Sequence, residues 1–278
     1  MNNIKITGTK VITDAIKNAC EPYDKETRQT VFSENLGKHI FELQKILSFA
    51  EQNSGICDVG GGAGVNLLTL RNLGLKELEL YLVDRFTEYS ECNRMGSADV
   101  ILNALEAENI KVVKQDFYQE KALRLESGYF DIVTLFDVTE HFPGHPLKLL
   151  REIHRILKPS GKIIIAGPNS VSLEKRLRML LGRHPSIPFD TWLNDKYYSH
   201  FREYDRKEQA KLLKKSGFAN IKTYMLNEPF KTQVSNKFYI YKRPAFSKII
   251  FYLFILYIAC SVFPVLRPTV YCIGEKVK

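Results

Sequence analysis

The sequence predicts an α/β fold built on a mostly parallel sheet with helices on both faces. Two observations carry this. From residue 56 onward, short apolar runs alternate with stretches of helical spacing, the signature of βαβ units. A glycine-rich turn also stands directly between the first apolar run and the helix after it. At 278 residues and 45% apolar, the chain can bury a full core, either as one large domain or as one domain with an elaborated cap.

Taken in order, residues 1–53 show helical spacing around Val31, Phe32, Leu36, Ile40, Leu43 and Leu47 and predict leading helices. Strands are predicted at Ile56–Val59, Leu78–Val83, Lys111–Lys114, Phe130–Phe136, Gly161–Ala166 and Ile221–Leu226, with a seventh within Pro268–Gly274. Helices are predicted at Gly64–Leu73, Ser97–Glu108, Pro146–Leu157 and Asp205–Ser216; Asp205 and Glu208 form a D-x-x-E capping signature and Gly217 supplies the stop. The basic and aromatic stretch 170–204 interrupts the alternation at the carboxyl edge of the sheet, where ligands bind, and reads as a substrate cap. The expected organisation is therefore N-terminal helices over 1–53 and one domain over 54–278, carrying the cap at 170–204 and an apolar insert at 246–267.

The net charge of +9 is divided unevenly. Residues 1–140 hold 15 basic against 22 acidic side chains, and residues 141–278 hold 25 against 9. Such a basic second half suits an anionic neighbour: phospholipid headgroups, a phosphorylated substrate or nucleic acid. A merely solvated surface is the plainer alternative. The five cysteines, at 20, 57, 92, 260 and 272, are odd in number and contain no C-x-x-C pair, which argues against both a disulfide framework and a zinc knuckle. No apolar stretch follows the charges of Met1–Lys10, so no secretory signal is expected and a reducing, cytoplasmic compartment is the default.

The chemistry concentrates at Asp58-Val59-Gly60-Gly61-Gly62-Ala63-Gly64. Glycines at 60, 62 and 64 let the backbone turn tightly and approach a ligand that a Cβ would block. A pyrophosphate-binding G-x-G-x-x-G would need glycine at the sixth position, which here is Val65, so the turn suits a ligand without phosphates. Asp84, ending the second strand, stands where a carboxylate accepts both hydroxyls of a ribose, and Asp116 follows the third strand. Acidic residues at three successive strand ends suit a cationic ligand, whereas a phosphate site would favour basic groups.

These residues, with LVDR, KQDF, FDIVTLFDVTEHFPGHPLKLLREIHRILKPSGKIIIAGPN and HFREYDRKEQAKLLKKSGF, resemble the class I S-adenosylmethionine (SAM)-dependent methyltransferases. The likeness is to the group that includes ubiquinone- and menaquinone-pathway enzymes and methyltransferases of glycan and lipid biosynthesis, and it covers Gly55–Asn169 and His200–Leu226. It implies a Rossmann-like sheet of seven strands with the last one antiparallel, and SAM as the cofactor. By the same likeness Gly60, Gly62 and Gly64 line the methionine part, with Asp58 beside them. Asp84 holds the ribose, Arg85 stands beside it in the cofactor site, Asp116 with Phe117 holds the adenine, and Asp137 stands near the methionine end or the substrate.

Methyl transfer from a sulfonium is an in-line displacement in which the protein mainly positions the reactants. Glu140 and His141, after the fourth strand, and His200, where the chain leaves the cap, are the candidate catalytic groups. A structural reading of Glu140-His141, orienting its loop or capping the next helix, stays open. His141 and His145 are separated by Pro143 and Gly144 and do not share a helical face, so no metal is expected from them. His39, His154 and His184 read as ordinary core or surface residues.

Residues Ile249–Leu266 carry no charge over eighteen positions. One helix of that length reaches about 27 Å, against a hydrocarbon core of roughly 30 Å, and Ser261 and Pro264 confine the strongly apolar part to Ile249–Cys260. If the final strand pairs in the sheet, the segment must leave and return on one side. The favoured expectation is a monotopic element dipping into one leaflet beside Lys237, Lys242, Arg243, Lys248 and Arg267. The amphipathic piece with Leu173, Leu177, Leu180 and Leu181 either joins that face or covers the active site. A single-span anchor and a buried lid are the alternatives.

The function expected is methyl transfer to a lipid, a lipid-linked sugar or another amphiphilic small molecule at the inner face of a membrane. The rivals are a methyltransferase of a soluble metabolite and a non-catalytic membrane-associated binding protein. Nucleic acid is not an expected partner, because no N/D-P-P-Y/F tetrapeptide follows the fourth strand.

Overall fold

The computed structural model describes residues 8–86, 98–120, 122–185, 200–227 and 246–277. Its centre is a seven-stranded sheet: β1 (Gly55–Val59), β2 (Glu79–Asp84), β3 (Lys111–Lys114), β4 (Phe130–Phe136), β5 (Leu157–Pro168), β6 (Phe218–Leu226) and β7 (Thr269–Lys276). The strand order is β3-β2-β1-β4-β5-β7-β6. The first five strands are parallel, and β7 runs antiparallel to both β5 and β6, in register from Lys162 opposite Glu275 to Pro168 opposite Thr269. This is the Rossmann-like sheet that the sequence implied. The order reverses between β1 and β4, which opens a ligand crevice at their carboxyl ends.

Alternation along the strands explains why both faces are covered. Ile56, Leu80, Leu82, Ile132 and Ile164 point to one side, and Cys57, Val59, Val83, Val133 and Ile163 to the other. The first side packs on α1 (Thr9–Ala19), α3 (Leu36–Leu47), α4 (Val65–Asn72) and α5 (Ala98–Ala107) through Ile12, Ile16, Leu43, Ile46, Leu67 and Leu105. The second packs on α6 (Leu147–Ile156) and α8 (Arg206–Lys215) through Leu149, Leu150, Ile153 and Leu213. The leading helices thus share one core with the sheet. They are broken: α2 (Lys25–Gln29) runs into a π-helical turn, Thr30–Asn35, before α3 begins. Such turns often accompany functional sites.

The cap contains α7 (Leu173–Leu180), whose basic amphipathic sequence starts at Ser172. Its apolar residues divide: Leu173 and Leu177 are half-buried, while Met179, Leu180 and Leu181 are exposed. The rest of the cap's aromatic stretch, 186–199, lies outside the described residues.

The apolar insert forms α9 (Phe246–Val262) and a 3-10 turn at Pro264–Leu266. No helix among the described residues is long and apolar enough to cross a membrane. Leu256 and Cys260 are buried, whereas Phe254, Ile255, Ile258 and Val262 are exposed, so α9 rests on the domain by one edge. Arg267 does not flank the apolar segment as a free headgroup contact. Its guanidinium donates to the carbonyls of Cys260 (2.9 Å), Ser261 (3.2 Å) and Met225 (2.8 Å), binding the helix end to β6. Lys237, Lys242 and Arg243 lie outside the described residues, as does Cys92.

At the start of α8 the Asp205 carboxylate accepts the Lys207 and Glu208 N–H groups (2.7 and 2.8 Å), and Glu208 returns a bond to the Asp205 N–H at 3.1 Å. Removing this box in Asp205→Ala is expected to lower unfolding stability by about 1 kcal/mol, read as a shift of the urea midpoint with an unchanged m-value.

Candidate active site

The turn after β1 is dictated by space. Gly60, Gly62 and Gly64 adopt φ of 74°, 58° and 68°, in the left-handed region that side chains resist. Gly61 is required for a different reason: a Cβ there would stand 2.3 Å from Asp58 Oδ2. The Asp58 carboxylate is folded back beneath the turn, 2% exposed, and accepts the Thr134 hydroxyl at 2.7 Å. Burial pushes it up to about 7 against that hydrogen bond, and Glu42 and Asp84 add to the rise.

Asp84 closes the turn from β2: its Oδ2 accepts the Gly62 N–H at 3.0 Å and its Oδ1 the Phe86 N–H at 3.2 Å. Two contributions from the N-terminal helices were not legible in the sequence. The Tyr23 hydroxyl donates to the Ala63 carbonyl, and Glu42, 3% exposed on α3, accepts Asn66 Nδ2 (2.9 Å) and the Tyr271 hydroxyl (3.2 Å). The floor of the crevice is thus acidic, with Asp58, Asp84 and Glu42 gathered below the glycines.

Asp116 begins a turn in which its Oδ1 accepts the N–H groups of Tyr118 (3.0 Å) and Gln119 (3.3 Å), while Oδ2 lies 3.8 Å from Arg85. The Arg85 guanidinium also stacks over Tyr118. Phe117, Tyr118 and Phe142 form an aromatic group with centroids 4.5–6.4 Å apart. Beside it opens a cavity of about 320 Å³, lined also by His145, Lys148 and Glu152.

A second cluster occupies the loop after β4. Asp137 takes a positive φ of 53°, which aspartate tolerates better than most residues, and pairs with Lys38 of α3. Burial acts to raise the Asp137 carboxyl, but Lys38, aided by His141 and His200, overrides it and holds the group below its usual range. Glu140 follows on a 3-10 turn, 1% exposed, and burial with the nearby Asp137 pushes it up to about 8.

The sequence-distant His200 is brought here by backbone clamps: the Glu140 carbonyl accepts the N–H groups of Phe201 (2.7 Å) and Arg202 (3.2 Å). The His141 and His200 rings lie edge to face, centroids 4.9 Å apart. Nδ1 of His200 is 2.9 Å from Glu203 Oε1, and Lys175 of α7 pairs with the other oxygen of Glu203. Burial, then His141, push the His200 imidazole down to about 4.

All the predicted site residues therefore fall into two adjoining groups. Asp58, Gly60, Gly62, Gly64, Asp84, Arg85, Asp116 and Phe117 surround the turn, and Asp137, Glu140 and His141 from the loop after β4 face it together with His200 from beyond the cap. Tyr23, Lys38, Glu42, Lys175 and Glu203 are among the side chains that sequence reasoning missed. Of these only Glu203 gave a local signal, three residues after His200. His39 lies 2.9 Å from Asn66 and 3.6 Å from Glu42, at the edge of the acidic floor, while His154 packs on Phe218 outside both groups.

A family model described as a methyltransferase domain matches residues 34–223. A curated ubiquinone biosynthesis O-methyltransferase of Nitrosococcus oceani is 28% identical over 114 residues, which span 41% of this chain and 43% of the relative, less than half its length. Among solved structures, phosphoethanolamine N-methyltransferase 2 of Haemonchus contortus, in complex with SAM, superposes with a TM-score of 0.58 at 16% identity, covering 96% of this chain and 57% of that one. A SAM-dependent methyltransferase of Archaeoglobus fulgidus gives a TM-score of 0.52 at 17% identity, covering 85% and 92%. At these identities the structural likeness establishes the fold.

The buried Asp58 makes stability depend on pH. From about pH 4 to 7 the unfolded chain releases this proton while the folded chain retains it, so the carboxyl's contribution to stability falls as pH rises. The Tm of Asp58→Asn relative to the unsubstituted protein should therefore increase between pH 5 and pH 8, measured by calorimetric scans in matched buffers.

Proposed function

The chain belongs to the methyltransferase-domain family, and from that premise we propose that it transfers the methyl group of SAM to an amphiphilic acceptor at a membrane surface. The observation that carries the cofactor assignment is the glycine turn over its acidic floor. A Cβ at Gly60 would come within 2.6 Å of Val138, so only bare backbone leaves room there, and three buried carboxylates suit a ligand bearing a sulfonium and an ammonium. Gly60, Gly62 and Gly64, with Asp58 beneath, would hold the methionine part. Asp84 with Arg85 would hold the ribose, and Asp116 with Phe117 the adenine. SAM supplies the electrophilic methyl group; the protein aligns the acceptor with it and excludes water.

Glu140, His141 and His200 form the acceptor side, with Asp137 between them and the turn. They orient the acceptor atom and ease the loss of its proton. The curated relative is named for O-methylation, which favours a hydroxyl as the acceptor.

The amphiphilic character of the acceptor is read from the surface beside the site. On α9 and the turn after it, Phe254, Ile255, Ile258, Val262, Phe263 and Val265 are exposed, and Met179, Leu180 and Leu181 are exposed on α7 and just past its end. These helices touch, and α7 also carries Lys175 to the Glu203–His200 pair. An apolar patch therefore adjoins the wall of the acceptor site, and the basic second half of the chain adds attraction for anionic headgroups.

Calorimetry should show SAM binding by the full chain and its loss in Asp84→Ala. A folded protein that ignores SAM would favour the non-catalytic alternative. Liposomes of anionic lipid should sediment the protein, and Leu180→Glu/Ile258→Glu should release it while SAM binding persists. Equal sedimentation of both proteins would remove the α7–α9 patch from the reading, and sedimentation of neither would leave the soluble-metabolite reading in place.

A further inference from the structure

We propose that Glu140, His141 and His200 hold a divalent transition-metal ion at the acceptor side of the site. The inference rests on reading that cluster as the acceptor side and deepens it. The ligand atoms of the three residues lie within 4.8 Å of one another, close enough to converge on one ion. One carboxylate and two imidazoles are the donor set of catalytic zinc sites that keep a position open for a further oxygen ligand.

Three features of the surroundings favour a cation there. Glu140 Oε2 is buried without a hydrogen-bond partner, in a side chain only 1% exposed. A buried carboxyl oxygen so placed lacks the ligand that its burial calls for. Lys38 and Lys175 reach Glu140 only through longer-range attraction. Lys38 is committed to Asp137 and Lys175 to Glu203, so of the three carboxylates in the cluster Glu140 is the one without an ion pair among the described residues.

The second feature is the orientation of His200. Glu203 accepts the Nδ1 proton at 2.9 Å, which leaves the Nε2 lone pair for a ligand. A carboxylate behind a metal-binding histidine is the usual outer partner of such sites. The third is preformation. The bonds from Phe201 and Arg202 to the Glu140 carbonyl fix His200 beside Glu140 through backbone alone, so no ion is needed to assemble the ligands. The spacing of His141 and His145 gives no hint of this site. Its third ligand arrives from the far end of the cap.

A metal at this position would polarise an acceptor hydroxyl and lower the cost of its ionisation. Glu203 is then a positioning residue, acting through His200.

The test uses the full chain, stripped with a chelator and titrated with zinc chloride by calorimetry, and with manganese chloride followed by electron paramagnetic resonance. SAM binding and thermal melting are measured on each variant. One ion per chain is expected, lost in Glu140→Gln and His200→Ala and retained in His145→Ala. Glu203→Ala should weaken uptake by about 10–100-fold, and Glu203→Gln should restore it, because an amide oxygen still accepts the Nδ1 proton. A protein that binds SAM but takes up no ion, or a Glu140→Gln variant that takes it up as well as the unsubstituted chain, would overturn the metal site alone. Uptake that depends on Glu140 in a protein that ignores SAM would support the metal site and sink the methyltransferase reading instead.

Discussion

The close approach between Gly61 and the Asp58 carboxylate sets the geometry of everything at the ligand edge of the sheet. Because Asp58 turns back beneath the loop to reach Thr134, the chain above it has room for no side chain at position 61 and must reverse through left-handed glycines on either side. That reversal aims the Gly62 N–H at Asp84 and starts α4 against the core, so β1, β2 and β4 are tied together at one point. The arrangement places a buried acid at the site where the backbone is least protected by side chains. The acid is destabilising to the empty fold, an instance of polar groups retained where a ligand is to be met.

The two halves of the site are built differently. Around the turn the recognition groups are backbone or carboxylates held by backbone N–H groups, as at Asp84 and Asp116, and they depend on little beyond the sheet itself. Across from it, the cluster draws side chains from four separate segments: Lys38 of α3, Glu140 and His141 after β4, Lys175 of α7, and His200 with Glu203 beyond the cap. A family can keep the first half constant and alter the second by changing one helix or loop.

This difference explains what the sequence disclosed. The strands, the turn and the acids at the strand ends were legible because each is set by local periodicity or by spacing from a motif, and the structure places Asp58, Asp84 and Asp116 at those ends. Lys38 and Glu42 were not, since they sit on an amphipathic helix whose pattern says that one face is buried but not against what. Lys175 looked like one cation among several on a basic helix. Arg267 was misread for a related reason: a basic residue beside an apolar run is equally suited to lipid headgroups and to the bare carbonyls of a helix end, and only the path of the chain to β7 decides between them. The division of the α7 leucines into half-buried and exposed depended likewise on where its neighbour α9 lies.

The position of β7 bears on how the protein is made. Among the described residues β6 joins the sheet only through β7, and β7 lies between it and β5 although it is the last of the seven strands in the chain. During synthesis, then, five strands can assemble while β6 waits without a partner, and α9 leaves the ribosome before the strand that will anchor its far end. For that interval the most apolar of the described helices lacks the strand that follows it. Non-local closures of this kind are slow and leave apolar surface open to capture.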